Sequence, residues 1–169
     1  EIRTAGADCV FFAGSADSNT PRLFKDLYDA IPAVRLFGSS SVADDAFARS
    51  LGHAVERVTF ITDAPLSTNL YGPSGRRFIK DYRTAFGVEP GPWAAYGYEA
   101  MSVVLDSIKH AGAKGNDRQA VVDAFFATKD RNSVLGRYSI DHNGDTSRTS
   151  FGGYRIAGGR LVFDRELKG

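Results

Sequence analysis

At 169 residues the chain has the length of one domain, or of one domain with an appendage, and is long enough to bury a real core. Lys and Arg number 21 against 20 acidic residues, and the net charge of +1 gives no electrostatic drive toward nucleic acid or an anionic membrane surface. The single Cys9 excludes an intrachain disulfide and, within the apolar run "CVFF", reads as a small buried hydrophobe.

The opening "EIRTAGADCV" reads like the tail of a helix already under way, so the chain is expected to be a piece of something longer. Wholly apolar stretches are a few residues long, and neither a signal peptide nor a membrane span is read. "DCVFFAG" (8–14), bounded by Gly6 and Gly14, predicts a buried strand. Asp17, Ser18, Asn19 and Thr20 offer capping oxygens ahead of Pro21. The helix that follows should bury Leu23, Leu27 and Ile31, with Phe24 and Tyr28 beside them, and stop at Pro32.

"AVRLFG" (33–38) predicts a second strand, "ADDAFARSLG" (43–52) a short helix and "ERVTFIT" (56–62) a third strand. Alternating strands and helices with short connections imply a parallel sheet with crossover helices. Ligands of such sheets lie beyond the carboxyl ends of the strands. That rule sets "GSAD" (14–17), "GSSS" (38–41) and "ITDAP" (61–65) on one rim.

Three helices are predicted next. "SGRRFIKDYRTAFG" (74–87) has Phe78, Tyr82 and Phe86 four residues apart, and "GPWAAYGYEAMSVVLDSIKHAG" (91–112) carries Ala100, Val104 and Ile108 along one side. The third, "DRQAVVDAFFAT" (117–128), would bury Val121, Val122 and Phe125. From residue 134 the runs "VLGRYSID", "TSFGGYRIA" and "RLVFDRE" are strand-like, the first pair joined through "HNGD" and the second through "GG". The chain thus reads as a single partial unit in three parts: a three-stranded βαβαβ part over 1–65, a helical segment over 66–133, and a C-terminal antiparallel β hairpin unit over 134–169.

The serines of "LFGSSSV" invite three chemical readings. A serine nucleophile sits between glycines on a sharp turn, but Val42 stands where the second glycine belongs, and His53, His110 and His142 show no pattern converging on Ser39, Ser40 or Ser41. A serine hydrolase is therefore the remote alternative. A phosphate cradle is opposed by Asp44 and Asp45, which read more simply as first-turn residues of the next helix. The remaining choices are a ligand ledge, with Ser39 and Ser40 the favoured contacts, and plain capping of the turn and helix.

"DHNGDTS" (141–147) resembles a calcium loop only superficially, since its glycine comes too early and no glutamate closes it; it reads as a hairpin turn. Three scattered histidines and one cysteine offer no zinc spacing, and neither metal nor cofactor is expected. Trp93, Tyr96 and Tyr98 open the long helix. Of these Trp93, beside the loop "EPGP", has the better claim to stack on a ligand, and the tyrosines read as core.

Taken together, "AGADCVFFAG", "LFGSSSV", "YGPSGRRFIKDYRTAFGVEPGPWAAYGYEAMSVVLDSIKHAG" and "VLGRYSIDHNGDTSRTSFGGYRIAGGRLV" resemble the C-terminal half of a solute-binding protein of the branched-chain amino-acid ABC transporter family. The likeness covers nearly the whole chain. It implies a type I periplasmic binding fold, whose two α/β lobes close on a small molecule, and a periplasmic or extracytoplasmic capture protein serving a membrane permease rather than an enzyme. A ligand-sensing regulatory domain of the same fold is the alternative. Residue by residue, the resemblance sets Ser15, Ala16 and Asp17 in one ligand-facing loop and Ser39, Ser40 and Ser41 in the next. Amino-acid binders can carry a glutamate where this chain has Ser40, so either Asp17 meets a ligand ammonium or the solute is a neutral polar molecule or a carboxylate. The resemblance also implies that the first lobe is absent. Uncovered strands and helix faces would then be met by that lobe or by a second copy, as a dimer or by element exchange.

Overall fold

The computed structural model describes residue 2 and residues 4–17, 19–63 and 70–168. Ser18, Ala64 and Pro65, named above as capping and rim residues, lie outside the described residues. In chain order the elements are β1 (Cys9–Phe12), α1 (Thr20–Ala30), β2 (Arg35–Gly38), α2 (Asp45–Leu51), α3 (His53–Glu56), β3 (Thr59–Asp63), α4 (Pro73–Phe86), α5 (Ala94–Ala111), α6 (Arg118–Phe126), β4 (Arg131–Ser133), β5 (Gly136–Tyr138), β6 (Ser150–Ala157) and β7 (Arg160–Lys168). They divide between two compact units, one of residues 1–66 and 150–169, the other of residues 67–149.

The first unit is an α/β layer. Its five-stranded sheet has the order β1-β2-β3-β6-β7, with β1, β2 and β3 parallel and β6 and β7 antiparallel. Pro21 in the first turn starts α1, and Asp44 caps α2 by accepting the Phe47 N–H at 2.7 Å. One face of the sheet meets these helices through Val34, Leu36, Ile61 and Ile156, packed with Phe24, Phe47 and Leu51. Phe24 lies edge-on to both Phe12 and Phe47, with centroids 5.8 Å and 5.3 Å away.

The expected C-terminal unit is divided by the structure. Strand β6 leaves the preceding hairpin and pairs with β3, from Phe60 opposite Arg155 to Asp63 opposite Gly152. Strand β3 offers a free hydrogen-bonding edge, and an unpaired edge beside an apolar strand is costly. The β6–β7 turn needs φ of 58° at Gly158 and 70° at Gly159, which only glycine adopts without strain. It is anchored where the Gly159 N–H donates to the buried Glu56 carboxylate at 2.9 Å.

Two sequence expectations change on this sheet. Cys9 is exposed, and β1 is a half-buried edge strand, because its alternate residues Cys9 and Phe11 face away from the helices. Leu23, expected in the buried stripe of α1, is also exposed, whereas Phe24 is fully buried. The face away from the helices stacks Phe37 on Phe60 at 5.4 Å and sets the Arg155 guanidinium 5.0 Å over the Phe60 ring.

The second unit packs α5 on α6 and joins them to the β4–β5 hairpin. Val103, Tyr138 and Ile140 are its buried apolar centre, with Phe125 against them. "HNGD" closes only the bridge between Ile140 and Thr146, and residues 136–138 fold back on 131–133 instead of pairing through that turn with 150–157. The buried line of α5 is Ala95, Glu99, Val103 and Ser107, while the predicted line Ala100, Val104 and Ile108 is exposed together with Met101 and Leu105. Glu99 turns inward because it is met there: Arg131 Nε donates to its Oε1 at 2.6 Å and the Tyr138 hydroxyl donates to the same oxygen at 2.8 Å. Phe86 of α4 is likewise exposed, its ring 4.6 Å from Tyr82.

Candidate functional site

Parallel pairing brings the strand ends of the first unit together. Phe12 lies beside Gly38 and Gly38 beside Ile61, so the chain leaves β1, β2 and β3 at one edge of the sheet. Two of these exits are joined directly: the Ser41 hydroxyl donates to the Gly14 carbonyl. Ser39 and Ser41 share a hydrogen bond of 2.8 Å between their hydroxyls, and Ser40, which opens the 3-10 turn Ser40–Val42, is exposed. The first loop is pinned from below by the buried Thr20, whose hydroxyl donates to the Ser15 carbonyl at 2.6 Å. Asn19 completes that loop in the left-handed region at φ 56°, which asparagine tolerates better than most residues.

The serines do not cap α2; Asp44 does, and Asp45 in its first turn accepts the Leu161 N–H at 3.2 Å. Ser41 instead ties one strand-end loop to another and Ser39 bonds to Ser41, so that Ser39, Ser40 and Ser41 form a polar ledge. Ser15 and Asp17 are exposed on the neighbouring loop, whereas Ala16 is half-buried and packs on the core. Trp93 belongs to the 67–149 unit, where it is half-exposed at the start of α5 with its ring 5.3 Å from that of Tyr96. Asp63, within the "ITDAP" stretch set on the rim, is buried at the carboxyl end of β3. Strand alternation from Thr59 and Ile61 is the signal for that burial.

The ledge depends on Gly38. A Cβ there would lie 2.5 Å from Val42 Cγ2 and 2.9 Å from Ile61 Cδ1, both in the core. Gly38→Ala is therefore expected to cost about 1–3 kcal/mol by overpacking and to push the serine turn outward. Urea unfolding followed by circular dichroism measures the loss, and an unchanged midpoint would show that the turn yields freely.

Chemically the ledge is a run of hydroxyls, groups that both donate and accept hydrogen bonds. The Ser41 and Ser39 hydroxyls are engaged with a backbone carbonyl and with each other, and His53 faces Glu56 at 3.4 Å at the start of α3. His110 and His142 lie in the 67–149 unit. Among the described residues no cluster of His, Cys, Asp or Glu could hold a metal ion, and no helix is long and apolar enough to cross a membrane.

A family model described as periplasmic binding protein matches residues 1–157. The chain belongs to the periplasmic binding protein family. No curated protein sequence matches it. Among solved structures it is similar to the leucine binding protein LivK of Thermotoga maritima, at 21% identity and a TM-score of 0.78, covering 98% of this chain and 46% of that one. It is also similar to LivJ of Streptococcus pneumoniae in complex with isoleucine (18%, TM-score 0.70, 96% and 45%). A third is a solute binding protein of Rhodopseudomonas palustris in complex with 3,4-dihydroxy benzoic acid (21%, TM-score 0.63, 99% and 47%). The chain therefore spans a little under half the length of these periplasmic binding protein structures.

Proposed function

We propose that this chain is part of an extracytoplasmic solute-binding protein that presents amino acids, or related small polar or carboxylate solutes, to the membrane permease of an ABC transporter. The reading is carried by the tie between Ser41 and Gly14, which makes one hydroxyl-bearing ledge from two loops at the carboxyl ends of parallel strands. Ser39 and Ser40 are the favoured contacts, flanked by Ser15, Ala16 and Asp17. Hydroxyls both donate and accept, so the ledge suits a carboxylate or neutral polar group better than an isolated ammonium. Related structures carry isoleucine in one case and 3,4-dihydroxy benzoic acid in another, which frames the solute range to be screened.

A second surface must cover the solute, because burial of most of a ligand's area is what gives small-molecule sites their affinity. The relatives' additional length is one source of that surface and a second copy of this chain is the other. Exposed Phe11 on the sheet and Met101 and Leu105 on α5 give either partner apolar area to bury.

The experiment is a thermal-shift and calorimetric screen of the two-lobed parent protein against leucine, isoleucine, benzoate and 3,4-dihydroxybenzoate. A carboxylate-bearing solute is expected to raise the midpoint, and Ser40→Ala to weaken it by roughly fivefold, the worth of one neutral hydrogen bond. If no solute shifts the midpoint, or if Ser40→Ala leaves every affinity unchanged, the ledge is not the binding surface.

A further inference from the structure

A cavity of about 420 Å³ with a mixed polar and apolar lining lies wholly within the 67–149 unit, between α5, α6 and β4. Three small residues on its helical side help to keep it open. Ser107, Ala124 and Ala127 leave space that larger side chains fill in a close-packed helix pair. Ser107 adds no unmet polar group to the floor, since its hydroxyl donates to the Val103 carbonyl at 2.8 Å.

The polar lining comes from two stretches of chain. Asp106 and His110 project from the end of α5, and Lys129, Arg131 and Asn132 from the segment that follows α6. Between Lys129 and Arg131 the backbone passes through the left-handed region at Asp130, φ 47°, where its N–H is held by Ser139 Oγ at 2.9 Å.

Donors outnumber acceptors in this lining. Arg131 has five N–H groups and spends three, on Glu99, Asp106 and Ser102. Lys129 Nζ has three and gives one to the Ile140 carbonyl at 3.0 Å. His110 spends its Nδ1–H on the Asp106 carbonyl at 2.7 Å, so in the neutral ring Nε2 is an acceptor and adds no donor to the lining. Against these stands one lining carboxylate, Asp106, whose Oδ2 Arg131 already holds at 2.6 Å. Glu99 balances Arg131 from behind but does not line the cavity.

We propose that this cavity binds a small oxyanion, a carboxylate or a phosphate group, through Lys129, Arg131 and Asn132, as a site separate from the solute ledge. Two cations and a side-chain amide offer charge-assisted hydrogen bonds of the kind that select oxyanions, and the volume is in the range of small-molecule pockets. The test titrates the 169-residue chain with inorganic phosphate and, separately, with succinate at ionic strength matched by sodium chloride, read by heteronuclear NMR.

Saturable shifts are expected at the amides of residues 106–110 and 128–132, with half-saturation on the order of a millimolar or lower. Lys129→Met should weaken this by about tenfold, the loss of one charge-assisted bond. Ala124→Leu fills the cavity without altering charge and should abolish the saturation. Saturation by one probe alone identifies the oxyanion preferred. Shifts that rise linearly and are reproduced by chloride, or equal binding by parent and Ala124→Leu, overturn the proposal. Should Lys129→Met not fold, Ala124→Leu decides alone. The readout is confined to residues 106–132, so it stands or falls independently of solute binding at Ser39–Ser41.

Discussion

Arg131→Met is expected to destabilise the 67–149 unit by about 3–5 kcal/mol, the cost of leaving a buried carboxylate without its counter-charge. Glu99 and Arg131 have side chains only 6% and 15% exposed, and their bond is 2.6 Å long. Burial alone would lower the Arg131 pKa, but its hydrogen bonds to Glu99 and Asp106 raise it further, so the guanidinium stays charged. Burial first, then the hydrogen bond to Glu99, pushes Tyr138 up to about 12, so its hydroxyl remains a donor. With Arg131 gone, one neutral O–H is left to stabilise the Glu99 charge.

Trp93 is the single tryptophan and lies at the start of the helix that carries Glu99, so its fluorescence during urea unfolding reads this unit. Adding Glu99→Gln to Arg131→Met should restore part of the loss, because an amide still accepts from Tyr138 and needs no counter-charge. An Arg131→Met midpoint equal to that of the parent would show that the network contributes little. The contact of Arg131 with Asp106 also carries an acid dependence. The Arg131 guanidinium holds Asp106 below the usual carboxylate range, so the stability it adds is complete above the unfolded pKa and is lost as pH falls through the lowered folded value.

Phe24→Ala should have a comparable effect on the other unit, about 3–5 kcal/mol, through loss of transfer free energy and a cavity between α1 and the sheet. Phe24 is 1% exposed and touches Phe12 and Phe47 edge-on, so no small movement of one neighbour fills the space. Leu23→Ala on the same helix, with an exposed side chain, is the control and should cost well under 1 kcal/mol. Far-UV circular dichroism during urea unfolding compares the two. Equal losses would mean that α1 does not dock on the sheet through its Phe24 side.

Much of this architecture is written locally. The short apolar runs at 8–14, 33–38 and 56–62, broken by helix starts at Pro21 and Asp44, specify alternating strands and helices because period and capping are properties of neighbouring residues. The parallel rim follows from that alternation through the handedness and shortness of crossovers, and with it the placement of Gly14 and Gly38 at one edge. The position of the three serines on that rim was legible for the same reason, although the bond from Ser41 to the Gly14 carbonyl joins residues 27 apart in sequence and leaves no local trace.

What the sequence by itself determined is the alternation of strands and helices through β3, the helices α4 to α6, the family likeness and the polar rim, all of which are carried by neighbouring residues. What only the tertiary structure decided is partnership across distance. Strand β6 closes on β3, Gly159 binds Glu56 across 103 residues, and Glu99 turns inward because Arg131, 32 residues later, meets it. Periodicity reports which side of a helix is apolar, and α5 reverses that rule, since a paired and hydrogen-bonded carboxylate can be buried while Met101 and Leu105 stay exposed.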